Sequence, residues 1–174
     1  MDLAEHPARL LVVMRHGKAE QMGPTDFDRA LADRGHADAR EAGGWLADQG
    51  FAPDHALVSA ALRTRETWDA LADGGGWALE AELDRGLYSA EPDTAIDLLG
   101  QVDPAVRRLV VIGHNPTMAY LAQLLGDGAA PEEPEQLVAG GFPTSALAVF
   151  AYDGEWADLA EGSARLLTQH VGRA

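Results

Sequence analysis

The chain has no cysteine among its 174 residues. That absence excludes a disulfide framework, a thiolate metal site and a cysteine nucleophile. Long apolar runs are missing too: no stretch approaches the roughly 18 residues that a membrane-spanning helix needs. The start, Met1-Asp2-Leu3-Ala4-Glu5, carries no basic n-region, so no secretory leader is expected and the cytoplasm is the expected location. Basic residues are scarce, 13 Lys and Arg against 28 Asp and Glu, for a formal net charge of −15. A field of that sign repels polyanions, so neither nucleic acid nor an anionic membrane surface is an expected partner. There is no internal repeat or long linker, and 47% of residues are hydrophobic, so residues 1–174 are expected to form one globular domain.

What is present is a set of buried strands that end in polar residues. The run Leu10-Leu11-Val12-Val13-Met14 leads into Arg15-His16-Gly17. A second, Leu109-Val110-Val111-Ile112-Gly113, leads into His114-Asn115-Pro116. A third, Ala56-Leu57-Val58-Ser59, leads into Ala60-Ala61-Leu62-Arg63-Thr64-Arg65-Glu66-Thr67. Helical spacing is expected over 33–49, from about Ala61 to Ala72 with a stop at Gly74-Gly75-Gly76, from Pro92 to Leu99, and from Pro116 to Leu125. Alternating strands and helices imply an α/β fold, a three-layer α/β/α sandwich with a mostly parallel central sheet. In the last third, Ala146–Phe150 and the segment Trp156–Leu159 read as a strand pair turning at Asp153-Gly154. Gly126 to Gln136, with three glutamates, Pro131 and Pro134, reads as an acidic surface loop, with a lid as the alternative.

Open α/β sheets place their sites at the carboxyl ends of the strands. Three such ends present Arg15 and His16, Arg63, and His114, a constellation that makes structural sense around an anion. Arginine offers a planar fork to phosphate oxygens, and histidine is a nucleophile toward phosphorus. Asn115 and Pro116 read as N-cap and first-turn proline, so His114 precedes a helix N-terminus that favours an anion. Arg63 stands in a first helical turn, where the dipole disfavours a cation unless an anion is bound. Ser59 reads as the N-cap of that helix, with Thr67 or Ser59 available to hold Arg63. His16 must attack as neutral imidazole, whereas His114 is expected to be protonated and to donate, giving a bell-shaped pH dependence. His6, His36, His55 and His170 read as structural or surface residues, and the four tryptophans as core or half-buried ones. No His-Glu-x-x-His, P-loop or Gly-x-Ser-x-Gly element is present, which removes those metal, nucleotide and serine chemistries.

At these residues the chain resembles the histidine phosphatase superfamily, and in particular its short SixA-like phosphohistidine phosphatases. The matching elements are Arg15-His16-Gly17-Lys18-Ala19, Asp26-Phe27-Asp28-Arg29-Ala30-Leu31 before Arg34-Gly35, and Ser59-Ala60-Ala61-Leu62-Arg63-Thr64-Arg65. Gly113-His114-Asn115-Pro116 and Phe142-Pro143-Thr144-Ser145 follow, all in the family's order. The resemblance implies catalysis by His16, His114, Arg15 and Arg63, with His16 as the phosphate-accepting nucleophile. Arg15, Arg63, His114, Asn115, Gly17 and Lys18 are the expected substrate-binding set, without metal or other cofactor. The expected substrate is phosphohistidine in a protein, for instance a histidine phosphotransfer domain. The alternatives are a small phosphorylated metabolite, handled by a phosphomonoesterase or a phosphoglycerate mutase-like enzyme, and a phosphate- or phosphoprotein-binding domain without turnover.

The chain departs from the family in three places. Val58-Ser59-Ala60 stands where Ser-Ser-Pro is usual. Ala30 and Ala32 replace a common proline and threonine, leaving Asp33 to cap the first helix. A general acid is not evident, Glu82 and Asp84 being the nearest carboxylates.

Overall fold

The computed structural model of the chain describes residues 1–129 and 141–174. Six strands form one sheet: β1 (Arg9–Arg15), β2 (His55–Ser59), β3 (Glu82–Asp84), β4 (Arg108–Gly113), β5 (Ala146–Tyr152) and β6 (Arg165–Val171), in the order β3-β2-β4-β1-β5-β6. The first four pair in parallel, and β5 runs antiparallel to both β1 and β6. Helices α1 (Asp33–Asp48) and α2 (Leu62–Gly75) cover one face, while α3 (Pro92–Gly100) and α4 (Thr117–Leu124) cover the other.

The unbroken apolar run of β1 follows from burial on both faces. Successive side chains of a strand point to opposite sides. Leu11 and Val13 therefore join the core under α3 and α4, and Leu10, Val12 and Met14 join the core under α1 and α2. The same division separates Leu109 and Val111 from Val110 and Ile112 in β4. Because β1, β2 and β4 are parallel neighbours, their carboxyl ends lie at one edge of the sheet, and the three polar strand ends are carried there together.

Several expectations need correction. The partner of β5 is β6, not the Trp156–Leu159 segment; Trp156–Asp158 is a single 3₁₀ turn whose tryptophan fills the core and donates Nε1–H to Val106 O at 2.9 Å. The Asp153-Gly154 turn signal therefore marks the end of β5 without making a tight hairpin. Helix α1 begins at Asp33 with Ala32 in the cap position and no side-chain cap. Asp33 contributes instead as an acidic residue in the first turn, where the dipole favours it. Helix α2 continues through Gly74 and Gly75 and stops at Gly76, in the left-handed region at φ 73°. Gly74 has a packing role: a Cβ there would lie 1.9 Å from Arg40 O. A Cβ on Gly43 would lie 2.0 Å from Leu71 O. These two glycines let α1 and α2 approach closely. Of the acidic loop read over 126–136, residues 130–136 lie outside the described residues.

Candidate active site

His16 is held on three sides by backbone. Its N–H donates to Gly113 O of β4 at 3.1 Å, and its carbonyl accepts from Ser145 N at 3.1 Å. Ser145 sits at φ 62°, a left-handed conformation uncommon outside glycine, which turns its amide toward His16 at the start of β5. The His16 ring places Nδ1 2.7 Å from Gly17 O. A carbonyl only accepts, so Nδ1 carries the hydrogen and Nε2 keeps its lone pair. Burial is the main cause that lowers the His16 pKa to about 4, assisted by the charges of Arg63, Arg15 and Arg29 and opposed by the Gly17 hydrogen bond. The neutral ring and the orienting partner that nucleophilic attack requires are both in place.

Gly17 is fully engaged in this positioning. Its N–H donates to Thr67 Oγ1 at 3.0 Å, and Thr67 Oγ1 donates to Arg63 O at 2.6 Å. A Cβ at Gly17 would lie 2.9 Å from Gly35 O, so the loop closes over α1 only with glycine there. Thr67 therefore ties the His16 loop to α2 rather than holding the Arg63 side chain.

His114 lies beside His16, with ring centroids 5.4 Å apart. Its Nε2 is 2.7 Å from Ser59 Oγ. Ser59 is thus a partner of His114 and not a helix cap; the cap position of α2 is Ala61, with no side-chain cap. Ser59 Oγ also accepts from Ala61 N at 3.5 Å, and His114 Nδ1 is buried without a hydrogen-bond partner. Burial first, then the charges of His16 and Arg63, lower the His114 pKa to about 3. The expectation of a protonated His114 is corrected for the unliganded site: burial and the positive charges beside it disfavour a further charge on the ring.

Arg63 is buried, with Nη1 donating to Asp26 O at 2.7 Å and Nη2 to Asp26 Oδ2 at 3.1 Å. Arg15 is half-buried at the end of β1 and donates from Nη1 to Phe142 O at 3.3 Å. Phe142 O also accepts from Asn115 Nδ2 at 2.7 Å, and Asn115 Oδ1 accepts from Ala119 N at 3.2 Å. Asn115 therefore serves the backbone with both ends of its amide and satisfies an open amide in the first turn of α4. The cap position is Pro116 and not Asn115, because the helix begins at Thr117, one residue later than expected. Lys18 is exposed, the one basic residue of the expected set outside the buried cluster.

The two carboxylates considered as acids diverge. Glu82 opens β3 and its Oε2 lies 2.8 Å from His55 Nε2, at the amino ends of the strands, away from His114 and Ser59. Asp84 reaches the carboxyl edge opposite Ser59, but its Oδ1 accepts from Gly86 N at 2.6 Å and caps the 3₁₀ turn Arg85–Tyr88. Two of the residues that sequence reasoning missed sit in motifs already visible. Asp26 opens the Asp-Phe-Asp-Arg segment and Ser145 closes Phe-Pro-Thr-Ser. Tyr88 carried no motif signal; its ring meets His114 edge-on at 5.5 Å and Phe27 at 5.0 Å. Among the described residues, no three His, Asp or Glu side chains converge as a metal site.

The sequence and the fold have counterparts among known proteins. Residues 11–90 match the family model of the histidine phosphatase superfamily, branch 1. Phosphohistidine phosphatase SixA of Escherichia coli is 30% identical over 149 residues, covering 81% of this chain and 84% of that protein. An uncharacterized protein of Mycobacterium tuberculosis is 42% identical over 92% of this chain and its own whole length. Among solved structures, one from Nakamurella multipartitia assigned to the SixA phosphohistidine phosphatases superposes with a TM-score of 0.82 at 28% identity, covering 97% of this chain and 99% of that one. The protein histidine phosphatase SixA complexed with tungstate gives 0.76 at 26% identity, covering 94% and 97%. The chain belongs to the histidine phosphatase superfamily, a family of phosphatases, and within it stands close to the SixA phosphohistidine phosphatases.

Proposed function

We propose that the chain is a phosphohydrolase that works without metal, through a phosphohistidine on His16, and that its substrate is phosphohistidine in a protein. The observation that carries the reading is the state of His16: neutral, with Nδ1–H spent on Gly17 O and Nε2 free, beside Arg15, Arg63 and His114. Nε2 attacks phosphorus and the bond to the departing group breaks. Arg15 and Arg63 meet the charge on the phosphoryl oxygens. His114, held at Nε2 by Ser59 Oγ, lies beside His16 and completes the pocket around the phosphoryl group. Water then attacks the phosphorus of the phosphoenzyme, releasing inorganic phosphate and His16.

The substrate class follows from the leaving group. An alkoxide needs a proton from an acid, a contribution commonly worth about 10²–10⁴-fold. Glu82 faces His55 and Asp84 is occupied by Gly86. The carboxylate that does reach the arginine cluster, Asp26, is held well below the usual carboxylate range by hydrogen bonds from Tyr88, then Arg29 and Arg63, and so carries no proton to give. Phosphohistidine leaves as neutral imidazole, because its second ring nitrogen can already carry a proton near neutral pH, at an imidazole reference pKa of about 6.5.

The test is kcat/KM for a phosphohistidine protein domain against alkyl phosphates, with rapid-quench labelling. Phosphohistidine should be preferred, and acid-labile, base-stable phosphate should appear on His16. His16→Ala should have no turnover and His114→Ala should be slow. Preference for alkyl phosphates, lost selectively in Asp84→Asn, would make the chain a phosphomonoesterase. Absence of turnover on any aryl phosphate would make it a binding domain.

A further inference from the structure

The excursion between His16 and α1 folds back on itself as a small hairpin, with Glu20 N on Ala30 O at 2.8 Å and Ala32 N on Lys18 O at 2.9 Å. Its tip is anchored to α2, where Leu62 N donates to Phe27 O at 2.9 Å and so satisfies an open amide of the first turn. The residue before that anchor is Asp26. It grips Arg63 at two points, carbonyl on Nη1 and carboxylate on Nη2. The same Oδ2 accepts from Tyr88 Oη at 2.5 Å, and Oδ1 accepts from Arg29 Nη1 at 2.9 Å. Tyr88 in turn lies edge-on to His114 and 5.9 Å from the Arg63 guanidinium carbon. A carboxylate whose side chain is 53% exposed would contribute little as an isolated surface ion pair. Here it joins the buried arginine, the aromatic wall beside His114 and the tip of the hairpin.

We propose that Asp26 is a positioning residue for phosphoryl transfer, fixing the plane of the Arg63 guanidinium and the ring of Tyr88 so that the remaining Arg63 donors meet the phosphoryl oxygens in the transition state. The proposal rests on the reading of Arg63 as a phosphate ligand. Arginine has five N–H donors in a rigid fork, and holding two of them sets the direction of the rest. An arginine long enough to reach several acceptors adopts one of them only when something else fixes it. Misplacement of a group by about 1 Å can cost on the order of 10²-fold in rate. Tyr88 shares Oδ2 with Arg63 and Arg29 holds Oδ1, so both carboxylate oxygens are fixed by partners other than Arg63.

The experiment is a double-mutant cycle on an aryl phosphate, reading kcat, KM and inhibition by vanadate for Asp26→Ala, Arg63→Ala and the pair, with Asp26→Asn and Tyr88→Phe beside them. Asp26→Ala should lose about 10–100-fold in kcat/KM, mainly in kcat, and vanadate should weaken in parallel. In the Arg63→Ala background the same change should have almost no further effect, because the group it positions is gone. Both Asp26 variants keep the main-chain carbonyl, but Asp26→Asn also keeps one side-chain acceptor and should lose under about fivefold; Tyr88→Phe should show a partial loss of the same kind. A loss from Asp26→Ala that adds in full to that of Arg63→Ala, or no loss at all, overturns the proposal. Asn behaving as badly as Ala also overturns it, since charge and not placement would then matter. Should Asp26→Ala fail to fold, the Asp26→Asn and Tyr88→Phe results decide by the same criteria. An Arg63→Ala variant as active as the parent would instead remove Arg63 from the phosphate site, and with it the premise.

Discussion

At the scale of single residues, the site is made of groups that are cheap to recognise and expensive to bury. His16 and His114 are both neutral in the unliganded protein, with pKa values of about 4 and about 3 against the ordinary 6.5. The consequence for stability has a definite sign. Below pH 6.5 the unfolded chain takes up protons that the folded chain refuses, so stability is complete above 6.5 and is lost as the pH falls from there through 4. For His16 alone the shift corresponds to at most about 3 kcal/mol. Thermal unfolding followed from pH 7.5 to 4.5 should show a falling Tm, and His114→Gln should flatten part of the slope; a parent and a variant with the same slope would contradict the neutral, buried pair. Activity should follow the same values. The acid limb of kcat/KM, which reports the free enzyme, belongs near 4 and not near 6.5.

At the scale of elements, the α1–α2 pair shows how backbone proximity shapes the site. Gly43 faces Leu71 O at 2.0 Å from its virtual Cβ, and its neighbour Gly44 has Gly74 O no nearer than 3.7 Å. Gly43→Ala must push the helices apart and should destabilise by about 1–3 kcal/mol, a Tm loss of about 2–4 °C per kcal/mol in a chain of this size. Gly44→Ala meets only ordinary contact and should be neutral or stabilising by up to about 1 kcal/mol, through helix propensity alone. Equal Tm values for the two would mean that the close approach is not real. Because α2 carries Arg63 and Thr67, and Thr67 holds Gly17, the Gly43 variant should also lose activity before it loses its fold.

At the scale of the whole molecule, charge and site work against each other. A net charge of −15 repels an anionic phosphoprotein at long range, while the arginine cluster attracts its phosphoryl group at contact. Salt screens the first more than the second, since exposed charges beyond a Debye length of about 10 Å at 0.1 M are largely screened and buried ones are not. For an acidic phosphoprotein substrate, kcat/KM should therefore rise with KCl between about 10 and 150 mM. A fall would mean that a basic docking surface outweighs the global field.

The sequence by itself determined the periodicities and the strand ends. The two-sided burial of β1 and β4 requires continuous apolar runs, so α/β layering and the edge carrying Arg15, His16, Arg63 and His114 were legible from residue order. Helix bounds came within a residue or so for α1, α3 and α4, where Gly50 and Pro92 act locally. Helix α2 ran three residues past its expected end, through Gly74 and Gly75, because its packing on α1 has room only for glycine at 74. Tertiary structure alone decided three things. It gave β5 the distant β6 as its partner, a choice made by pairing and burial that no turn signal encodes. It set the protonation of His114, which depends on desolvation and on neighbours brought from other strands. It joined Asp26 to Arg63 and Tyr88 across 37 and 62 residues of sequence. Hydrogen bonds over such separations exist only once the sheet and α2 have placed their ends together, so a motif can show that Asp26 is present but not which side chain it holds.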